Sequence, residues 1–168
     1  MVRIEPARRD WLKLLSISDA AFGGALGIAV EPGWIGFPEA LPVALDAADP
    51  DQPDPWGTHL FFDDAGTLVG FGGFKGAPDG GEVEIGYAVA PSRQGRGVAT
   101  AAATAMIDRA RAAGVQRVVA HTLAEQNAST AVLQRCGFVR VATVEDPDGD
   151  VDDDVWRWEL VLRSDGDG

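Results

Sequence analysis

Polar and apolar residues alternate most strictly between residues 82 and 89. Glu82-Val83-Glu84-Ile85-Gly86-Tyr87-Ala88-Val89 places Val83, Ile85, Tyr87 and Val89 on one side of an extended strand and Glu82, Glu84, Gly86 and Ala88 on the other. The period then lengthens. Beyond a glycine-bearing stretch, Val98 to Ala113 predicts a helix with a small-residue face of Val98, Ala101, Ala102, Ala105 and Ala110, stopped by Gly114. Upstream, His59 to Phe62 and Thr67 to Phe74 are apolar and aromatic runs joined through Asp63-Asp64-Ala65-Gly66, a β-hairpin signature. Val115 to Leu123 predicts another strand and Asn127 to Arg135 a short helix stopped by Gly137. Phe138 to Val144 and Val155 to Leu162 predict a closing hairpin. At the other end, Val2-Arg3-Ile4 predicts a short strand, and Pro6 to Leu15 a helix with Trp11, Leu12, Leu14 and Leu15 as its apolar face.

From Phe22 to Trp56 the pattern breaks. Repeated glycines and prolines (among them Gly23, Gly24, Pro32, Gly33, Gly36, Pro38 and Pro42) predict short helices joined by turns. Trp34, Ile35, Phe37 and Leu41 lie inside this segment. Such a segment either caps the core or forms one wall of a pocket, and Trp34 and Phe37 are candidates for lining it. The order of elements is mixed α+β and not doubly wound.

Composition narrows the function classes. The 168 residues are 46% apolar and 24% charged, which fits one globular domain, taken as residues 1–163 with a tail at 164–168. A formal charge of −12 opposes non-specific nucleic-acid binding and favours a cationic partner. No apolar run reaches the roughly eighteen residues of a membrane span, and Met1-Val2-Arg3-Ile4-Glu5 starts no secretory signal, so a cytoplasmic, non-membrane protein is expected. The single cysteine, Cys136, suits a reducing compartment. Residues 145–154 hold seven acidic side chains in ten. They do not spell a calcium loop, because Val151 stands where the sixth-position glycine belongs and Arg157 where the twelfth-position glutamate belongs. A solvated loop and no metal are expected.

The stretch Pro91-Ser92-Arg93-Gln94-Gly95-Arg96-Gly97-Val98-Ala99-Thr100 joins the alternating strand to the alanine-rich helix. Glycines let a backbone approach a ligand closely, and a helix N-terminus offers unpaired N–H groups and positive potential to an anion. By itself the stretch is equally a phosphate cradle or an ordinary glycine-rich turn.

With its flanks, the stretch resembles the GNAT family of acyl-CoA-dependent N-acetyltransferases. Gln94, Gly97 and Ala99 match the family's acetyl-CoA signature, and Asn127 to Phe138 resembles its second CoA-contacting segment. The resemblance is strong from Thr58 to Phe138, and nearest to the branch of ribosomal-protein and antibiotic acetyltransferases. It implies a mostly antiparallel twisted sheet whose central strands splay apart, flanked by helices. Acetyl-CoA is implied as co-substrate, its pyrophosphate on Gly95, Arg96, Gly97, Val98, Ala99 and Thr100, with Gln94 also counted among the cofactor-binding residues. Ala88 and Val89 would contact the pantetheine arm and thioester, and Asn127 would contact the cofactor from its helix. The amine must lose a proton before attack, and Glu84 is the implied base; its plainer reading is a solvent-facing or salt-bridged strand glutamate. Ser129 matches a serine that contacts the thiol in that branch. The tyrosine that many members use to protonate the thiolate is replaced by Leu133. His121 is a further candidate for substrate contact or base.

The expectation is therefore transfer of acetyl from acetyl-CoA to a primary amine of a small molecule or a peptide or protein N-terminus. A GNAT-like acyl-CoA sensor or interaction module is the alternative kept open by Leu133, and a homodimer is compatible with the resemblance.

Overall fold

Prolines mark the ends of two strands: Pro6 closes the opening one, and Pro91 follows soon after the alternating one. In the computed structural model, which describes residues 2–149 and 151–162, seven strands form one open sheet. They are β1 (Arg3–Pro6), β2 (Thr58–Phe62), β3 (Leu68–Phe74), β4 (Glu82–Val89), β5 (Arg117–Leu123), β6 (Val139–Val144) and β7 (Val155–Val161), in spatial order β1-β2-β3-β4-β5-β7-β6. Five α-helices flank it: α1 (Arg9–Ile17), α2 (Asp19–Leu26), α3 (Ala40–Ala47), α4 (Val98–Ala112) and α5 (Ala128–Arg135). This is the mixed α+β class expected, and every strand pair is antiparallel except β4–β5. The tail expected at 164–168 lies outside the described residues.

The alternation of β2 and β4 divides two cores. On one side Phe61, Val83, Ile85 and Val89 pack under α4 and α5 with Met106, Val118, Leu133 and Trp158. On the other, Leu60 and Phe62 join Leu12, Leu15, Phe22, Trp34 and Leu68 beneath α1 and α2. The buried face of α4 is Val98, Ala102, Ala103, Met106, Ile107 and Ala110. Ala101 and Ala105, expected on that face, are only half-buried, because the larger Met106 and Ile107 take the positions over the sheet.

Two departures near the N-terminus have local reasons. Helix α1 starts at Arg9, not Pro6, because β1 runs through Pro6 and the following Ala7 N–H still donates to Thr58 O (2.8 Å). Helix α2 carries Gly23 and Gly24 inside it. Its N-cap Ser18 accepts from Ala21 N, and Gly27 ends it at φ +66°. A Cβ on Gly23 would lie 2.8 Å from Ile28 O, so close return of the chain requires glycine there.

The parallel ladder between β4 and β5 is short: Glu82 pairs with Arg117, Val83 with Val118 and Glu84 with Val119. Beyond Glu84, β4 stays with β3 as far as Val89, while β5 follows β7 to Leu123. Gly70 and Gly72 permit the tight β3–β4 approach; a Cβ on Gly72 would fall 2.3 Å from Gly86 O. The central sheet thus opens into a wedge immediately after Glu84. Among the described residues, no helix is long and apolar enough to cross a membrane.

Candidate active site

Strand alternation decides which groups face the wedge. Glu84 O accepts from Lys75 N (2.9 Å) and Ala90 N donates to Val69 O (2.8 Å), so the backbone groups of residues 84, 86, 88 and 90 turn towards β3. Those of Ile85, Tyr87 and Val89 turn the other way, into the wedge. Val89 is therefore well placed as a backbone contact. Ala88 corrects the sequence expectation: its amide and carbonyl point to β3, and it meets the site through its methyl group, which a Cβ on Gly36 would approach to 3.3 Å.

At the far end of β4 a single 3-10 turn, Pro91–Arg93, leads into the glycine stretch. Gln94 Nε2 donates to Val89 O (3.2 Å) and ties the stretch to the strand. Gly95 and Gly97 have φ of +75° and +80°, the left-handed region that favours glycine, and a Cβ on either would meet nothing within 4 Å. Ala101 N–H closes the first turn of α4 on Gly97 O (2.9 Å). The amides of Val98, Ala99 and Thr100 precede that bond and have no partner within the helix. Thr100 Oγ1 is buried without a hydrogen-bond partner. This is an open concavity suited to an anion, and a depression of about 340 Å³ lined by Arg96, Gly97, Val98, Ala101 and Asp63 continues beside it.

On the opposite face of β4 lie Glu84, Gly86 and Ala88. Glu84 Oε1 lies 3.1 Å from His121 Nδ1 on β5, and Oε2 lies 2.7 Å from Lys75 Nζ. Neither contact is aligned as a hydrogen bond: the first is a close approach of imidazole to carboxylate, and the second is an ion pair. Lys75 also pairs with Asp148, which brings the acidic 145–154 loop over this face. Desolvation pulls the Lys75 ammonium down, but its hydrogen bond to Asp148 and its charge pairing with Glu84 and Asp148 outweigh it and hold the pKa above the ordinary lysine value. Next to it, Arg157 bonds Glu82 (3.2 Å) and Glu159 (3.1 Å), and Arg117 lies near both carboxylates. A Cβ on Gly86 would meet nothing within 4 Å, leaving open space between Glu84 and Ala88.

Residues 28–37 form the wall over Ala88. Val30 bridges to Leu68, Glu31 N donates to Leu68 O (2.9 Å), and Gly33 is so close to Pro91 that a Cβ would fall 2.9 Å from its Cδ. Ser92 Oγ donates to Glu31 Oε1 (2.6 Å), while Arg93 pairs with Glu31 and Asp63. The wall and the glycine stretch are thereby joined. Phe37 is 60% exposed on this segment. Trp34 is 1% exposed; its Nε1 donates to Asp19 (2.9 Å) and its ring meets Phe71 edge-on, so it braces the wall from behind and does not line an open pocket.

Below the wedge, helix α5 begins at Asn127 with a capping box: Asn127 Oδ1 accepts from Thr130 N and Thr130 Oγ1 accepts from Asn127 N, both at 3.0 Å. The Asn127 carbonyl oxygen is therefore occupied as a cap, and its amide nitrogen is the group left to reach a ligand. Ser129 lies in the first turn of the helix, against Tyr87. Tyr87 Oη donates to Ser129 O (3.0 Å) and accepts from Ser129 Oγ (3.3 Å). Burial pushes the Tyr87 phenol up to about 12, against the opposing hydrogen bond from Ser129. Leu133 is wholly buried in the core, and burial raises the half-buried Cys136 thiol. Sequence reasoning overlooked Tyr87 and Lys75. The register of the β3–β4 hairpin, which sets Lys75 beside Glu84, was the available signal for the second.

Residues 33–139 match the family model described as an acetyltransferase (GNAT) domain. No curated protein matches the chain by sequence. Among solved structures, a spermidine N-acetyltransferase chimera from Vibrio cholerae and hSSAT aligns over 95% of each chain at 16% identity and a TM-score of 0.67. The ribosomal-protein-S18-alanine N-acetyltransferase from Escherichia coli aligns over 100% of this chain and 98% of its own, at 16% identity and 0.65. The IAA acetyltransferase from Bacillus cereus aligns over 96% and 100%, at 18% identity and 0.62. At these identities the three likenesses establish a shared fold.

Proposed function

Because the chain belongs to the GNAT acetyltransferase family, we propose that it transfers acetyl from acetyl-CoA to a primary amine of a small molecule or of a peptide or protein N-terminus. One observation carries this reading: β4 and β5 part immediately after Glu84, and the same strand ends in the Gly95–Thr100 concavity. A single strand thus carries a carboxylate on the acceptor face, a free backbone edge in the wedge and an anion site at its end.

The residues fit the donor. Amides of Val98 to Thr100 would hold the pyrophosphate, and the edge of Ile85, Tyr87 and Val89 would hold the arm. Acetyl-CoA supplies an activated thioester. Val89 N–H would polarise its carbonyl oxygen, and Glu84, with His121 beside it, would take the ammonium proton so that the free amine can attack. Ser129 would meet the departing sulfur. On the acceptor face the carboxylates of Glu82, Glu84, Glu159 and Asp148 are shared with Lys75, Arg117 and Arg157, and exchange of one of these cations for the acceptor supports a cationic amine; Phe37 would contact its apolar part.

The test is thiol release from acetyl-CoA across a panel of primary amines, with calorimetric binding of CoA alongside. Acceptor-dependent release that falls by about 10²-fold or more in Glu84→Gln, at unchanged CoA affinity, is expected. CoA binding with no transfer to any amine would favour an acyl-CoA sensor.

A further inference from the structure

The hydroxyls beside the wedge are not equivalent. Thr130 Oγ1 donates to Asn127 O and accepts from Asn127 N, so the helix cap holds it fully. Thr122 Oγ1 donates to Leu123 O and accepts from Trp158 Nε1. Leu133, in the same helix as Ser129, offers only carbon. Ser129 and Tyr87 are different: the Ser129 hydroxyl donates to Tyr87 Oη over a long 3.3 Å, a weak bond that a better acceptor can replace. Tyr87 spans the gap between β4 and α5, forty-two residues apart in sequence, and both side chains are half-buried beside the open strand edge.

We propose that Tyr87 is a positioning residue for departure of the CoA sulfur: it parks the Ser129 hydroxyl beside the wedge and, once that hydroxyl turns to sulfur, swings its own O–H from Ser129 O to Ser129 Oγ. The two hydroxyls then form one chain ending at the thiolate, each bond polarising the next. The inference rests on the acetyl-CoA reading. In the step it serves, the amine nitrogen forms a bond to the acetyl carbon and the carbon–sulfur bond breaks, its electron pair passing to sulfur. Glu84 takes the ammonium proton before attack and passes it to water, and the second proton, shed by nitrogen as the amide forms, leaves through the same carboxylate. Sulfur leaves as a thiolate hydrogen-bonded to Ser129 and takes its proton from water after release. Charge near the sulfur must stay low for this to work. Burial keeps Tyr87 a neutral phenol, and Cys136, the titratable neighbour on α5, is likewise held as a thiol.

The experiment titrates the ultraviolet absorbance of the CoA thiolate bound to the protein, in a Cys136→Ser background that removes the chain's own thiol, with calorimetry of CoA binding beside it. Tyr87→Phe keeps the ring and removes one O–H. It is expected to leave CoA affinity within about twofold and to lower the bound thiolate fraction at a given pH by about three- to tenfold, one pKa unit being tenfold. Ser129→Ala should lower it at least as much, and the double variant no further than Ser129→Ala, since the hydroxyls act in series. An unchanged thiolate titration in Tyr87→Phe, or additive losses in the double variant, overturns the proposal while leaving the acetyl-CoA reading intact. Failure of the unmutated protein to bind CoA overturns that reading itself.

Discussion

Lys75 and Glu84 face each other across the β3–β4 ladder, their backbones joined by a 2.9 Å hydrogen bond and their side chains by a 2.7 Å ion pair. The same ammonium pairs with Asp148, so one lysine neutralises the proposed base and anchors the acidic loop. A cationic acceptor must share these carboxylates with Lys75. Lys75→Met is therefore expected to lower KM for a diamine by about two- to fivefold, the range of a partly exposed ion pair, and to leave KM for a singly charged amine nearly unchanged. Faster amide exchange across 145–154 in the same variant would report release of the loop. A higher diamine KM would show that Lys75 assists the acceptor.

At Gly97 the backbone is left-handed and the space beyond the missing Cβ is open. A side chain there would clash with nothing in the protein and would project into the concavity. Gly97→Val should therefore reduce CoA affinity by about 10²-fold, combining strain at positive φ with obstruction of the ligand. Gly24→Ala, a second glycine with open space but within a helix, is the control and should leave affinity unaltered. Calorimetry with CoA decides; equal affinity in Gly97→Val would remove the stretch as the anion site.

The strand that organises this site was legible residue by residue, because half-burial writes a period of two into the sequence and β4 obeys it from Glu82 to Val89. The hairpin and α4 were legible for similar reasons. Helix α2 was obscured by Gly23 and Gly24, which mark a close chain return and not a break. Trp34 looked like a pocket residue because aromatic character does not reveal which side of a wall a ring takes; only its bond to Asp19 does. Tyr87 fell on the apolar side of the strand and drew no role of its own. Its partner Ser129 is forty-two residues away, and no local pattern encodes that contact.

Arg93 links the two halves of the site through Glu31 on the wall and Asp63 beside the glycine stretch. Without it, two neighbouring carboxylates face each other and Ser92 is the one side-chain bond left to Glu31. Arg93→Met should raise KM for acetyl-CoA and for the amine together, several-fold each, with little change in kcat. Added salt should narrow the gap to wild type, since the pairs are partly exposed and screened. A change in only one KM would show that wall and stretch act separately.

His59 supplies a pH test of the fold that is independent of the chemistry. Its ring is wholly buried between β2 and α4, with Nδ1 2.8 Å from Gly57 O and Nε2 against the Arg109 guanidinium. Nδ1 therefore carries the proton and Nε2 accepts, which only the neutral imidazole can do. Burial first, then the Arg109 charge, lowers its pKa to about 4 despite the Gly57 bond. The unfolded chain takes up a proton near pH 6.5, before the folded one does, so stability is complete above that pH and declines as pH falls towards about 4. The full difference corresponds to about 3 kcal/mol. Urea unfolding between about pH 7 and pH 4 should show this decline in the wild type and a shallower one in His59→Gln, which can still donate to Gly57 and accept from Arg109. Parallel slopes in the two proteins would mean that His59 is protonated in the fold and that Arg109 has turned away from it.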